Sequence, residues 1–326
     1  MPILNEFSFP SCDCKNTIYV REWLPDGTPI GVVQLCHGIA EHISRYDRFA
    51  QFLASSGFVV AGNDHLGHGM SVSKPEDLGC FGEHGGWELV VGDMRKLYER
   101  LREQYYSLPV FLFGHSMGSF LTRTYVIRYH DGPDGIIVSG TGQQSALTLN
   151  GGLTLANAII RRHGAAYKSQ RFSNIAFAGY NDHYKPARTE FDWLTRNEDV
   201  VDAYIADPLC GFCASMGVFR DMLTGVKYIS NPKNLTRMNK DLPVYFISGD
   251  DDPVGEYGKG VLRAYNGFLT AGLTDVTLKL YHGDRHEILN ELNSSEVYGD
   301  ILAWLQAKVD AKAAKAPRTE GEELPV

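Results

Sequence analysis

The chain has 326 residues, 44% of them hydrophobic, and a formal net charge of -8. That composition excludes a disordered chain and suits one large α/β domain with an insertion. The acidic balance argues against non-specific nucleic-acid binding, which needs a basic excess to neutralise phosphates.

Residues 17–23 alternate like a half-buried strand, and IGVVQLC (30–36) is a β-branched run expected of a buried one. Residues 44–56 predict a helix with Phe49, Phe52 and Leu53 on one face and Gly57 as its stop. FVVAGND (58–64) is a further strand. In the predicted helix 88–103, Val90, Met94, Leu97 and Leu101 make one apolar stripe. The strand PVFLFG (109–114), a helix over 117–129 and the strand GIIVSG (135–140) follow. After Thr141 the alternation stops for about a hundred residues. It resumes with PVYFISG (243–249), a helix over 258–270, VTLKLY (276–281) and a last helix presenting Val297, Ile301, Trp304 and Leu305. The pattern predicts a mostly parallel sheet with helices on both faces and a segment inserted above the carboxyl ends of the strands, where open α/β sheets place ligands. The expected core is 1–140 and 241–310, the expected cap or lid 141–240, and the charged end 311–326 is expected to be a frayed, disordered tail.

The N-terminus has no basic segment followed by an apolar one, and no apolar run approaches the ~18 residues of a membrane span. A soluble, cytoplasmic protein is the expectation. Six cysteines include the pairs Cys12/Cys14 and Cys210/Cys213, whose four thiolates could hold zinc. The first pair's one-residue spacing suits that poorly, so reduced structural thiols are expected. His65 and His68 in NDHLGHGMS raise a metal again, but no acidic third ligand stands with them, and histidines bonding a glycine-rich loop explain the pattern. Nothing resembles a nucleotide-binding glycine motif. No metal and no cofactor are expected.

Ser116 sits in GHSMG, where the strand 109–114 gives way to a helix. A sharp strand-to-helix turn tolerates only small neighbours, here Gly114 and Gly118, and leaves the serine at its tip beside free N–H groups. A serine hydroxyl needs a base, and the base an orienting acid. Asp250, Asp251 and Asp252 follow the strand 243–249, where three adjacent negative charges do not serve folding. Asp252 is the first choice and Asp250 the reserve. His286 lies on the loop past the next strand; His282 competes but stands at the strand end. An oxyanion would need two N–H donors: Met117, next to the serine, and Ile39, after the glycine-softened Cys36-His37-Gly38 strand end.

HGIAEHISRY, DHLGHGMS, GHSMGS, SGDDDPVG and YHGDRHE, in that order, resemble the α/β hydrolases of the monoacylglycerol lipase and lysophospholipase branch, also labelled serine aminopeptidase-like. The resemblance runs from about Ile30 to the last helix. It implies an α/β-hydrolase fold, a nucleophile at Ser116, an acid at Asp252, a base at His286 and oxyanion donors at Ile39 and Met117. Branched Ile39 departs from the family's usual small residue, which implies a narrower acyl pocket.

The insertion then resembles a cap. Its Phe191, Trp193, Tyr204 and Phe212 read either as an acyl channel or as the cap's own small core. LTLANAIIRRHG, edged by Arg161 and Arg162, reads as a transient membrane-surface contact or as packing onto the sheet. Glu41 and Arg45 are candidates for holding a polar head group. The implied activity is cleavage of single-chain acyl esters through an acyl-enzyme. An aminopeptidase would need a cap acid for the substrate ammonium, and Glu190, Asp192, Glu198 and Asp199 are available. A non-catalytic small-ligand receptor on the same fold is the remaining alternative.

Overall fold

The computed structural model describes residues 2–315. Eight strands form one sheet in the order β1-β2-β4-β3-β5-β6-β7-β8. They are β1 (Ile3–Pro10), β2 (Thr17–Leu24), β3 (Gly31–Cys36), β4 (Phe58–Asn63), β5 (Val110–His115), β6 (Gly135–Ser139), β7 (Val244–Gly249) and β8 (Val276–Tyr281). β1 and β2 run antiparallel to each other, β2 runs antiparallel to β4, and every other pairing is parallel. β3 to β7 are buried along their whole lengths, as their unbroken apolar runs require when helices cover both faces.

The helices before the long interruption are α1 (Asp47–Ser55), α2 (Gly86–Gln104) and α3 (Met117–Arg128). Between β6 and β7 come α4 (Ala146–His163), α5 (Gln170–Ala176), α6 (Glu198–Ala206), α7 (Met216–Ile229) and the short α8 (Pro232–Leu235). α9 (Lys259–Thr270) and α10 (Ser294–Lys315) complete the chain. Phe49 of α1 packs with Tyr298, Ile301 and Leu305 of α10 against one face of the sheet. The predicted stripe of α2, with Leu121 and Tyr125 of α3 and Phe268 of α9, packs against the other.

Three expectations change. β1 was not foreseen: Asn5, Glu6 and Pro10 are poor strand residues, and its pairing with β2 (Phe7 opposite Val20) carries it. The single helix over 44–56 is a 3-10 turn, Ile43–Tyr46, followed by α1. The Ile43 N–H is drawn to buried Asp64 at 2.8 Å, which sets the entry apart from α1. Residues 311–315, expected to belong to the tail, continue α10 with their alanines and lysines; the rest of that expectation lies outside the described residues.

The long interruption is not one layer. α7 buries Met216, Val218, Phe219, Val226 and Ile229 in the core that α2 and α3 share. At Gly225 the Trp87 ring packs so close that no Cβ fits. α4 lies outside α7, burying only Leu149 and Ala156 and leaving Leu147 and Leu155 exposed. Leu194, Tyr204 and Cys210, with Phe191 and Trp193, make a separate small cluster. Phe219 is 1% exposed, so Phe219→Ala is expected to lower stability by about 3–5 kcal/mol in urea denaturation, in one transition with the sheet. A loss under about 1 kcal/mol would show that α7 is not part of the main core.

Candidate active site

β5 ends at His115, and Ser116 turns the chain with φ 53° and ψ -121° before α3 begins at Met117. A residue other than glycine in this strained region is held there by its surroundings. The Ser116 N–H donates to the Ser139 carbonyl at 3.0 Å, and the Ser119 hydroxyl to the Ser116 carbonyl at 2.6 Å. The flanking glycines are steric necessities. A Cβ at Gly118 would run into the carbonyls of Cys36 and His37, and one at Gly114 into Gly118 and Thr122.

Asp252 is fully buried. Its Oδ1 accepts the Val254 N–H at 2.8 Å; its Oδ2 takes His286 Nδ1 at 2.9 Å and the Ser248 hydroxyl at 3.3 Å. The competing pair is separate: Asp250 bonds His282 Nδ1 at 2.9 Å and the Gly283 N–H at 2.7 Å, and His282 is exposed. Asp251 takes a third role, accepting the Tyr184 hydroxyl on its backbone carbonyl. Burial would lower the His286 pKa, but the Asp252 carboxylate and its hydrogen bond overcome that and raise it above the ordinary value. The His115 ring lies 4.6 Å from that of His286 and is held down to about 4, by burial first and then by His286.

Ser116, Met117, Ile39 and His286 line one cavity of about 410 Å³. Neither the Ile39 nor the Met117 N–H has a protein acceptor in the backbone hydrogen bonds of the described residues. The loop carrying Ile39 is fixed from behind. Gly38 donates its N–H to Glu41 Oε1 at 2.5 Å, and its carbonyl bonds His37 Nδ1 at 2.7 Å. His37 Nε2 accepts the His65 N–H at 2.9 Å. Burial pushes His37 and His65 well below the ordinary histidine range and His68 to about 4, so the three are neutral struts around the loop.

Glu41 lines the cavity, yet both its oxygens are taken: Oε1 by Gly38 and Tyr46, Oε2 by Arg45 at 2.6 Å. Arg45 stands behind it, forked onto Glu287 at 2.7 Å and 2.7 Å and stacked 4.8 Å from the Tyr204 ring centroid. The head-group role expected of Arg45 therefore gives way to an internal one. Its partner Glu287 was missed because 242 residues separate the pair, although Glu287 adjoins His286 in sequence.

Phe191, Trp193, Tyr204 and Phe212 all line the cavity, and the first three also pack with Leu194 and Cys210. The cavity wall and the small cluster thus share Phe191, Trp193 and Tyr204. Phe120, Phe177, Tyr180 and Met222 join the wall without any signal in the sequence beyond being apolar. Of the four acids considered for an ammonium, Glu190 lines the cavity. Asp192 is spent on the Arg188 and Thr189 N–H groups, and Glu198 and Asp199 lie in the first turn of α6.

His42, Asp207 and Cys210 bring three possible metal ligands within 4.8 Å. His42 Nε2 already bonds Asp207 at 2.9 Å, and burial pushes the Cys210 thiol far up, so the group acts as a tie between the Ile39 loop and the β6–β7 segment. Among the described residues the cysteine pairs form no such cluster.

The sequence matches the family described as "Serine aminopeptidase, S33" over residues 27–293. The chain belongs to that family. Within and around it, the chain is 29% identical over 305 residues to the monoacylglycerol lipase of Mycolicibacterium smegmatis, covering 92% of this chain and 96% of the relative. It is 27% identical over 307 residues to the mouse (Mus musculus) monoglyceride lipase, covering 92% and 90%. Its structure superposes on a highly thermostable carboxyl esterase from Bacillus coagulans, solved in complex with glycerol, with a TM-score of 0.88 and 29% identity over 94% of this chain and 99% of that one. The fold is that of the α/β hydrolases. No helix among the described residues is long and apolar enough to cross a membrane.

In this family member Arg45 is the shared cation of two buried carboxylates. Arg45→Met leaves both unpaired and is expected to cost about 3–5 kcal/mol in urea denaturation. Adding Glu41→Gln and Glu287→Gln is expected to recover much of that loss; no recovery would mean that packing over Tyr204, not charge, is what Arg45 supplies.

Proposed function

We propose that the chain is a serine hydrolase of carboxylic esters, acting on single-chain acyl esters of the monoacylglycerol type through an acyl-enzyme. The observation that carries this is one cavity lined by both the strained Ser116 and by His286, whose Nδ1 is bonded to the buried Asp252. With Nδ1 committed to Asp252, His286 has Nε2 free to take the Ser116 proton as Oγ attacks the acyl carbon. The tetrahedral anion rests on the Ile39 and Met117 N–H groups, each worth ~3 kcal/mol of barrier in such a site. His286 then protonates the departing alcohol, and water repeats the sequence on the acyl-enzyme. Asp252 fixes the imidazole tautomer and stabilises its cation. No cofactor takes part in these steps.

Two features support the substrate class. Phe120, Phe177, Phe191, Trp193, Phe212 and Met222 offer an acyl chain an apolar wall. Glu41, Asp182, Glu190 and Glu287 also line the cavity, with no lysine or arginine among the lining residues. A phosphodiester head group finds no cation among the lining residues, so an uncharged alcohol suits the site better than a lysophospholipid. The stretch from α4 to Cys213 acts as the cap, and the exposed Leu147 and Leu155 of α4, a helix that ends in Arg161 and Arg162, are its contact with a lipid surface. An amidase reading rests on Glu190 alone, the one considered acid that lines the cavity.

Ser116→Ala is expected to abolish turnover of short p-nitrophenyl esters and labelling by a fluorophosphonate, with the melting temperature retained; residual labelling would sink the assignment. kcat/KM should rise with pH through the raised His286 pKa, because the protonated imidazole cannot accept the serine proton. A profile flat from pH 5 to 9 would remove His286 as the base. On a panel with one acyl chain, the monoacylglycerol is expected to be cleaved at least about tenfold faster than the lysophospholipid and the aminoacyl p-nitroanilide. The reverse order would reassign the head group.

A further inference from the structure

His286 belongs to a loop held on one side by the sheet and on the other by residues 192–196 of the β6–β7 segment. The Glu287 N–H donates to the Leu194 carbonyl at 2.7 Å and the His286 N–H to the Trp193 carbonyl at 3.4 Å. Arg285 Nη1 reaches the carbonyls of Asp192 at 2.6 Å and Thr195 at 3.3 Å. The Trp193 ring lies 5.1 Å from that of His286. Arg196 closes this contact. Its N–H and Nε bond the two oxygens of Glu291 at 3.0 Å and 2.9 Å, and its Nη2 bonds Asp284 and, at 3.1 Å, Asn293. Asp284 and Glu291 bracket His286 in the chain, and both are buried. Glu291 Oε1 also accepts the Arg285 N–H at 3.0 Å, so one carboxylate joins Arg196 to the residue preceding the base. Burial pushes the Asp284 carboxyl up to about 6. Arg196 is the cation paired with each of these two acids among the described residues.

We propose that Arg196 is a positioning residue for His286, clamping the loop of the base from the inserted segment. The loop has no regular secondary structure between Tyr281 and Ile288, so its shape is set by its partners. Arg196 engages Asp284 and Glu291 on either side of the histidine. The Trp193 and Leu194 carbonyls hold the backbone between them. The 192–196 stretch is thereby a fixed part of the site.

This rests on the Ser116–His286 reading, and the experiment separates the two. Arg196→Met and Arg196→Lys are compared with the parent using a short p-nitrophenyl ester, with active sites counted by fluorophosphonate labelling. For Arg196→Met, kcat per labelled site is expected to fall about 10- to 100-fold while KM stays within about threefold. The pKa seen in the pH–rate profile should move upward, because the cation paired with Asp284 and Glu291, which flank His286 in the chain, is removed. Arg196→Lys keeps the charge, loses the fork, and is expected to recover part of kcat. A lowered melting temperature with unchanged kcat per labelled site and an unmoved pH profile would overturn the clamp. If Arg196→Met does not fold, Arg196→Lys decides alone: an intermediate kcat with unchanged KM supports the proposal, and full activity overturns it. Failure of Ser116→Ala to abolish labelling would instead overturn the reading beneath it.

Discussion

The turn at Ser116 is the constraint around which the rest is built. A φ of 53° at a residue with a side chain persists only under tight packing, and that packing defines the site. Gly118 brings α3 against the end of β3, where the loop with Gly38 and Ile39 begins. A Cβ at Gly38 would lie 3.1 Å from that of Ser116. The serine, the start of α3 and the Ile39 loop are thus one packed unit, and the N–H groups of Met117 and Ile39 are brought to one cavity by the same contacts that strain the turn.

Charge in the site is arranged in pairs around that unit. Asp252 holds His286; Arg45 joins Glu41 behind the Ile39 loop to Glu287 beside His286; Arg196 joins Asp284 and Glu291. Each buried carboxylate has a donor close by, as burial demands. Three of these ties cross between segments far apart in the chain, so the two halves of the site, serine with Ile39 loop and histidine with its acid, are fastened together by the Arg45 fork rather than by the sheet alone.

What could be read in the sequence followed from local rules. The stripe of α2, the buried strands and the glycines around Ser116 each leave a short-range pattern. The chain order of strand ends pointed to Ser116, Asp252 and His286; Ser116 and His286 line one cavity, and Asp252 bonds His286. The choice between Asp250 and Asp252 needed coordinates, because two histidines four residues apart each take one of the two acids. Arg45 with Glu287 and Arg196 with Glu291 left no trace, being long-range pairs of common surface residue types. β1 was hidden by a composition unlike a strand, and α7 by lying in a stretch that looked uniformly inserted.

The position of α7 has an architectural consequence. Its Phe219 and Val226 belong to the main core, so the stretch from α4 to Cys213 is a loop with both ends anchored, by β6 at one end and by α7 at the other. Lengthening such a loop is cheap, about 0.6 kcal/mol for each doubling, and the sheet does not register the change. The part of the cavity wall made by Phe177 and Tyr180 can therefore be exchanged, while the 192–196 stretch against His286 and the turn that holds Ser116 stay as they are.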